Sequence, residues 1–412
     1  MENFIRNVRF SLLCLTLAVS SCLDGNPSTV TENGVQPAVS PTRAALPRPT
    51  IPLISDRDIA EVFPARTGSL SDIWKNVKLK TRDPVKVAFA NDGRGFLINK
   101  FGKLFRTDDG GGSWQAAPLP VSGFPAGAGF AGPEIGLLAL NVRRVPGAGG
   151  EAVIIRTGDG GKNWAKSYSG DVTIFGMRVV DDSTAWVFGG HAIERNNTVF
   201  SEIVLLKTTD SGITWTDRAA GANQLNEETS GNGASDLLVS GGRLVLYSGS
   251  RFLESVDDGV SWTVIDAIAT GHVAPSFLNA NDGRISLAGG SRNGRLTYFM
   301  IQDAPGKWHW IERRGFNATE IRYVSGNEVL ACGTIRLRTK KVEYAYDDES
   351  AGAILYSSDS GLTWTSVYQD PEIEEFQSMA VTDNGRIFVV GGNEVVSSTL
   401  DAIRKSVENR AQ

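Results

Sequence analysis

Thr107-Asp108-Asp109-Gly110-Gly111-Gly112-Ser113-Trp114, or TDDGGGSW, is one of five copies of a single phrase: a hydroxyl or small residue, a spacer, Asp, a spacer, Gly, a spacer, a polar residue and Trp. The others are TGDGGKNW from Thr157, TTDSGITW from Thr208, SVDDGVSW from Ser255 and SSDSGLTW from Ser357. Their aspartates, Asp109, Asp159, Asp210, Asp257 and Asp359, stand 50, 51, 47 and 102 residues apart, so the last gap holds two periods. A decayed sixth copy is expected there at Asp303 and Trp308, in IQDAPGKW, which keep the five-residue Asp-to-Trp offset and lose the glycine register. A period of this length marks a radial or stacked array whose units bury their apolar faces against their neighbours.

A second signal counts the units. Before each phrase, or where one is due, runs a short apolar stretch bounded by turn formers: NDGRGFLIN around Arg94, PEIGLLAL from Pro133, STAWVFGG from Ser183, GGRLVLYSG from Gly241, NDGRISLAGG from Asn281, GNEVLACG from Gly326 and DNGRIFVVGG from Asp383. Seven runs of this kind read as strands buried on both faces. Looser alternating runs precede them, such as Val85 to Phe89, and further strands such as Ile203 to Leu206 lead into the Asp phrase, whose Trp opens a fourth strand. Four antiparallel strands repeated seven times make an all-β, seven-bladed β-propeller, whose closure protects the strand edges. The last blade, from about residue 374, has a degenerate end around Ser398 to Asp401, and Ser71-Asp72-Ile73-Trp74 is expected to supply its missing strand.

The ends and the bulk composition set the context. Residues 1–21 read as a signal peptide, with Arg6 and Arg9 before an apolar core from Phe10 to Val19 that is shorter than the ~20 residues of a spanning helix. Val19-Ser20-Ser21-Cys22 resembles a bacterial lipobox, which makes Cys22 the lipidated first residue of the mature chain. Residues 22–55, rich in Pro, Ser and Thr, read as a flexible tether, and 56–412 as the propeller. The expected location is therefore extracytoplasmic and membrane-anchored, at the outer membrane or periplasmic face of a Gram-negative host. Of three cysteines only Cys332 is left to the fold, so no internal disulfide is expected. A net charge of -5 speaks against a general nucleic-acid binder.

The eight-residue phrase resembles the Asp-box, or BNR repeat, and the resemblance covers residues 70 to 407. Such boxes occur in sialidases, some endoglucanases, sortilin-type receptors and photosystem II assembly factors, so they specify fold better than function. With its leader, spacing and length, the chain looks most like photosystem II stability/assembly factor-like proteins, which implies a non-catalytic scaffold that binds other proteins without a cofactor. In a box the Asp accepts backbone N–H groups, the Gly takes a positive φ and the Trp packs between blades. Asp109, Trp114, Asp159, Trp164, Asp210, Trp215, Asp257, Trp262, Asp303, Trp308, Asp359 and Trp364 are accordingly structural, and one carboxylate per 50 residues assembles no metal cage.

Binding is expected at the irregular edges of the ring. Arg94, Arg243, Arg284 and Arg386 share one repeat position on the Asp-box face and read either as solvated turn residues or as a docking rim for an acidic partner. The opposite face carries the insertions Val142 to Gly150, His191 to Phe200, Ser291 to Thr297 and Thr334 to Gly352, with the polar link Thr216 to Ala234 overhanging it. The last insertion holds Arg336, Arg338, Lys340, Lys341, Tyr344 and Tyr346, types common at protein interfaces. The competing reading is a glycan-binding or glycan-cleaving propeller. The Arg-Ile-Pro phrase of sialidases is missing, and the carboxylate candidates Glu134 and Glu328 sit on the Asp-box rim. The histidines His191, His272 and His309 show no metal-ligand spacing, and no nucleophile elbow or phosphate loop is present.

Overall fold

A computed structural model of the chain describes residues 71–411, apart from 146–147, 196–197, 227–232, 241, 249–250, 268–272, 282–283, 292–295, 305–306, 326 and 343–344; along 143–150, 195–200, 266–304, 308–314 and 337–349 it gives the backbone course alone. The expected leader, Cys22 and the tether lie outside the described residues.

A 3-10 turn, Ser71–Ile73, leads into β1 (Lys75–Lys78). Blade 1 is β2 (Pro84–Phe89), β3 (Gly95–Asn99), β4 (Leu104–Thr107) and β5 (Gln115–Ala117); blade 2 is β6 (Phe124–Phe130), β7 (Gly136–Val145), β8 (Ala148–Thr157) and β9 (Ala165–Asp171). Blade 3 is β10 (Thr173–Val179), β11 (Ala185–Arg195), β12 (Thr198–Thr208) and β13 (Thr216–Asp217), followed by helix α1 (Ala220–Asn226); blade 4 is β14 (Ala234–Ser240), β15 (Arg243–Ser248), β16 (Arg251–Ser255) and β17 (Thr263–Ala267). Blade 5 is β18 (Val273–Asn281), β19 (Arg284–Ser291), β20 (Leu296–Ala304) and β21 (Lys307–Arg314); blade 6 is β22 (Phe316–Ser325), β23 (Glu328–Val342), β24 (Ala345–Ser357) and β25 (Thr365–Asp370). The last sheet joins β26 (Phe376–Val381), β27 (Arg386–Gly391) and β28 (Glu394–Thr399) to β1, and helix α2 (Leu400–Ala411) follows.

Among the described residues there are thus seven four-stranded antiparallel sheets, one for each apolar run in the sequence. Their first strands meet in the cyclic order β2, β6, β10, β14, β18, β22, β26 and back to β2, which closes the ring around an axis. Each of these strands carries a bulge at the same place, after Pro84, Pro125, Ile174, Ala234, Pro275, Ala318 and Phe376. A bulge bends and twists its strand, and here it recurs where the strand turns along the axis. The glycine that faces this bulge in the second strands of blades 3, 6 and 7 is explained by this crowding. A Cβ on Gly189 or Gly391 would lie 2.0 or 2.3 Å from the carbonyl oxygen of Thr173 or Glu375.

Sheet packs on sheet, so the middle strands are buried on both faces, as their uninterrupted apolar runs require. Leu137 to Leu140 in β7 and Ala152 to Ile155 in β8 are wholly inaccessible. The repeated indole lies against the preceding blade: Trp164 of blade 2 meets Phe96 of blade 1 edge-on at 5.3 Å, and Trp262 of blade 4 joins Trp186, Phe188 and Leu205 of blade 3.

The turn that aims each indole is the same five times. The first hydroxyl donates to the Asp Oδ1 and accepts the N–H of the glycine four residues on, at 2.7 and 3.0 Å for Thr157. That carboxylate also accepts the backbone N–H of the polar residue, and its Oδ2 the side-chain donor, at 2.9 and 2.7 Å for Asn163 on Asp159. The indole N–H returns to the glycine carbonyl at 3.1, 3.1, 3.0 and 2.8 Å for Trp114, Trp164, Trp262 and Trp364. Trp215 departs, donating instead to Ser167 Oγ on the outer strand of blade 2. Two successive residues take positive φ in every copy, the second always glycine and the first Gly110, Gly160, Ser211, Asp258 or Ser360.

Four expectations are corrected. Asp303 and Trp308 do not keep the pairing of the five turns: Ala304 pairs with Lys307 and Gln302 with Trp308, so the strands β20 and β21 are in register up to Ala304 and Lys307. The closing strand starts at Lys75, later than expected, and pairs Val77 with Val395. Trp74, before it, is anchored by its indole N–H to the Val367 carbonyl at 3.0 Å. The degenerate end of the last blade is the start of α2, N-capped by Thr399 and burying Leu400 and Ile403. The polar link after blade 3 contains α1, whose Asn223 side chain bonds both the N–H and the carbonyl of Ile203 at 2.8 and 3.0 Å, substituting for a strand beside a β13 of only two residues.

Acid is expected to loosen the ring. The donors around Asp109, Asp159, Asp210 and Asp257 hold each carboxyl at about 2, against an ordinary 3.8. Their largest causes are the Ser113 hydroxyl, the Asn163 N–H, the Thr214 hydroxyl and the Ser261 hydroxyl respectively. A carboxyl whose pKa falls on folding stabilises the native state above its unfolded value, and that stability disappears as pH drops through the folded value. Thermal melting should therefore be nearly flat from pH 7 to 5 and fall between pH 4 and 2, with Asp159→Asn lowering the neutral midpoint and shrinking the acid loss. A midpoint unchanged down to pH 2 contradicts this.

Candidate interaction surface

Both faces of the ring can be assigned from backbone contacts. The Asp turn of a blade donates to the turn between its first two strands, Gly110 to Gly93 at 2.7 Å, Gly160 to Glu134 at 2.9 Å, Ser211 to Ser183 at 2.8 Å and Ser360 to Asn327 at 2.7 Å. These two turns therefore share one face, and the links between second and third strands share the other.

On the Asp-turn face the arginines are engaged within the protein. Arg94 pairs with Asp108 of its own blade at 3.2 Å and with Glu134 of the next, and also reaches the Pro133 carbonyl at 3.3 Å. Arg386 crosses from the last blade to the first, donating to the carbonyls of Asp92 at 2.8 Å and Gly110 at 3.3 Å while its guanidinium lies 4.8 Å over Phe388. Arg243 pairs with Glu254 inside blade 4. The backbone of Arg284 opens β19, in register with Asn281, and its side chain is outside the described residues.

A second repeated position, cationic in the first three copies, escaped the sequence reading. The residue just before each turn hydroxyl, Arg106, Arg156, Lys207, Glu254 or Tyr356, carries a rim contact in every copy. Arg156 donates to the Ser211 carbonyl of the next blade at 2.8 Å, and Lys207 to Asp258 of the next blade at 2.5 Å while lying 5.2 Å over Trp186. Aligning the copies one residue further upstream exposes this position. Glu328 is held by Arg404 of α2 at 2.8 and 2.5 Å and accepts the Tyr356 hydroxyl; these donors, Arg404 foremost, keep its carboxyl below the usual range. Glu134 and Glu328, considered as glycosidase carboxylates, are thus each committed to an arginine.

The opposite face is different in kind. The insertions expected as loops in blades 2, 3 and 6 are β-ribbons whose strands stay paired to their tips, with two residues left for the turn: Val145 with Ala148, Arg195 with Thr198 and Val342 with Ala345. In blade 6 the neighbouring strands stop at Phe316, opposite Ile335, and at Asp370, opposite Gly352. Residues 336–350 consequently run on as a two-stranded ribbon. Its register sets Arg338 opposite Glu349, Lys340 opposite Asp347 and Lys341 opposite Tyr346, with Arg336 opposite Ser350. Opposite charges in facing positions support a free ribbon. Tyr344 falls outside the described residues.

The face of the ribbons also carries an apolar feature that composition alone could not reveal. Phe101, Phe124 and Phe175, on blades 1, 2 and 3, are 63%, 65% and 45% exposed. The turn bearing Phe101 abuts the segment bearing Phe124, because a Cβ on Gly102 would lie 2.9 Å from the Gly123 carbonyl oxygen. No helix among the described residues is long and apolar enough to cross a membrane, and no group of three His, Cys, Asp or Glu among them is placed to hold a metal ion.

No family model matches the sequence. YCF48 bound to a D1 peptide superimposes with a TM-score of 0.56 at 19% identity, covering 82% of this chain and 99% of that one; YCF48 from Cyanidioschyzon merolae gives 0.53 at 17%, covering 80% and 99%. The fold is that of a Ycf48-like β-propeller. Among curated proteins, the photosystem II assembly lipoprotein Ycf48 of Synechococcus sp. (strain CC9902) is 26% identical over 169 residues, 39% of this chain. The chain spans about half the length of that relative, 46%. The GH74 enzyme of Niastella koreensis also shares the architecture, with a TM-score of 0.51 at 16% identity over 78% of this chain and 53% of its own. At these identities the solved structures bear on fold and leave function open.

Arg386 tests whether the rim arginines serve as staples. Replacing it with Met keeps the contact with Phe388 and removes two bonds from a charged donor, each worth about 1.5–3 kcal/mol at most. Arg386→Met should lower the urea midpoint by the equivalent of about 2 kcal/mol, whereas the fully exposed-face change Lys162→Met should leave it unmoved.

Proposed function

We propose that this protein is a lipid-anchored, extracytoplasmic, seven-bladed scaffold that binds other proteins without catalysing a reaction, in the manner of a photosystem II assembly factor. The observation that carries the reading is the asymmetry of the ring. One face has its described rim arginines engaged within the ring and exposes aliphatic tips of the Asp turns, such as Ile213 and Val256, while the other raises long β-ribbons and carries three exposed phenylalanines. Exposed aromatics grouped on one side are a common mark of a protein-binding surface. The charged residues Arg336, Arg338, Lys340 and Lys341 and the aromatics Tyr344 and Tyr346 of the blade-6 insertion are its polar contacts, whereas Arg94, Arg243 and Arg386 are spent on bonds within the ring and are not assigned to it.

Likeness to a lipoprotein and to a propeller seen with a bound peptide supports this assignment. The lipobox-like Val19 to Cys22 supports attachment at Cys22, with 22–55 as the tether holding the propeller, 56–412, off the bilayer. A glycan-active propeller is the reading against which it is tested. Shortening the blade-6 ribbon by replacing 338–349 with a two-residue turn should abolish crosslinked complexes on membranes and leave the melting temperature within a few degrees of the parent. Hydrolysis of chromogenic sialosides or β-glucosides by the purified chain would overturn the non-catalytic reading. Cys22→Ala should move the protein from the membrane to the soluble fraction; retention on membranes would remove the anchor.

A further inference from the structure

The inner strands bring together charges that nothing in the interaction surface uses. Lys86 of β2, Arg178 of β10, Asp236 of β14, and Glu320 and Arg322 of β22 stand one or three residues beyond the shared bulge, on blades 1, 3, 4 and 6. Blades 1, 3 and 6 are not neighbours in the ring, yet Lys86 is attracted by Glu320 and repelled by Arg178 and Arg322. Side chains from sheets so placed can act on one another only across the central channel. That channel is wet: Arg322 and Arg178 keep 47% and 39% of their side chains accessible although the blades enclose them.

Their donors are unequally used. Arg178 is spent on the protein, donating to the Leu237 carbonyl at 3.2 Å, the Met177 carbonyl at 3.3 Å and Asp236 at 2.5 Å. Glu320 accepts Arg322 Nε at 2.6 Å and the Met379 N–H at 3.0 Å. The two Nη groups of Arg322 and the Nζ of Lys86 have no hydrogen-bond partner among the described residues. Among these five groups Asp236 offsets Arg178 and Glu320 offsets one of Lys86 and Arg322, which leaves one positive charge; Glu375, which like Glu320 and Arg322 acts on Cys332 of β23, is a further acid in their field. Burial there weakens the hold of Lys86 on its proton, a cost that an anion would relieve.

We propose that the axial channel is an oxyanion site, in which Lys86 Nζ and Arg322 Nη bind a carboxylate or phosphate group and Glu320 is a positioning residue that orients the guanidinium. Fixed, charge-assisted donors of these two types are suited to such groups. The site lies on the axis, a few residues along the inner strands from the bulge that bears Phe175, and its test reads binding of a small anion and not complex formation, so it can fail without the protein-binding reading failing.

The test titrates the mature chain with sodium phosphate and, separately, sodium acetate, against sodium chloride at matched ionic strength and pH 7, reading heat by calorimetry and thermal midpoint. Saturable binding of phosphate assigns the phosphate class, and of acetate alone the carboxylate class; either supports the site if Lys86→Met and Arg322→Met each weaken it about tenfold or more. Lys162→Gln, an equal charge change on an exposed Asp turn, should leave affinity unchanged. If Arg322→Met does not fold, Lys86→Met, which removes no hydrogen bond, decides alone. No stabilisation beyond chloride, or equal affinity in Lys86→Met and the parent, overturns the proposal.

Discussion

Everything in this molecule rests on apolar strands that have sheets on both sides. A middle strand such as β7 is inaccessible because blade 1 covers one face and blade 3 the other, and apolar burial of that kind contributes about 25 cal/mol per Å². No blade can provide this for itself, so each depends on its neighbours and the neighbours on closure. The Asp turn matters because it fixes the geometry of that contact. Two residues at positive φ reverse the chain, the carboxylate gathers the donors that would otherwise be left over, and the indole is delivered to the preceding blade. The price of the turn, two strained or glycine-only positions, is met by bonds inside a single octapeptide.

The repeat was legible because its chemistry is local. Thr157, Asp159, Gly161 and Trp164 bond among themselves, so a reader of eight residues sees a complete structural unit and only its period is needed to infer the ring. The apolar runs were legible for a related reason: burial on both faces removes alternation and leaves an uninterrupted signal. What stayed hidden depends on partners far apart in the chain. The closing strand, Lys75–Lys78, is half charged and reads as nothing until Glu394–Thr399 is placed beside it. Asp303 kept the right offset to Trp308, but offset alone cannot distinguish the long turn from a strand pair whose register shifts between Gln302 and Ala304. Helix α1 was obscured because its role, Asn223 satisfying the edge of β12, is set by a strand 20 residues away.

The functional residues divide along the same line. Arg94 and Arg386 were visible as a repeated position, yet their partners, Glu134 and the carbonyls of Asp92 and Gly110, belong to other blades. Phe101, Phe124 and Phe175 look in sequence like three ordinary core aromatics, and only the ring places them on one side, uncovered. The lysine and arginine on the axis are further apart in sequence still, so no spacing rule could have joined Lys86 to Arg322. The ring is thus a frame whose self-contacts are short-range and whose distinguishing chemistry is long-range.

The pairing of Val77 with Val395 has a consequence for biogenesis. A ribosome or an export channel delivers the chain from its amino end, so β1 emerges ahead of the blades and must wait until all of them have followed before its partner exists. Until then β28's berth is empty, the outer edge of the final sheet cannot form, and the growing arc presents open strand edges at both ends. The half-charged sequence Lys75-Asn76-Val77-Lys78 is well matched to that delay: a segment carrying two lysines stays in water without pairing with the wrong strand, then becomes the latch once β28 has been made.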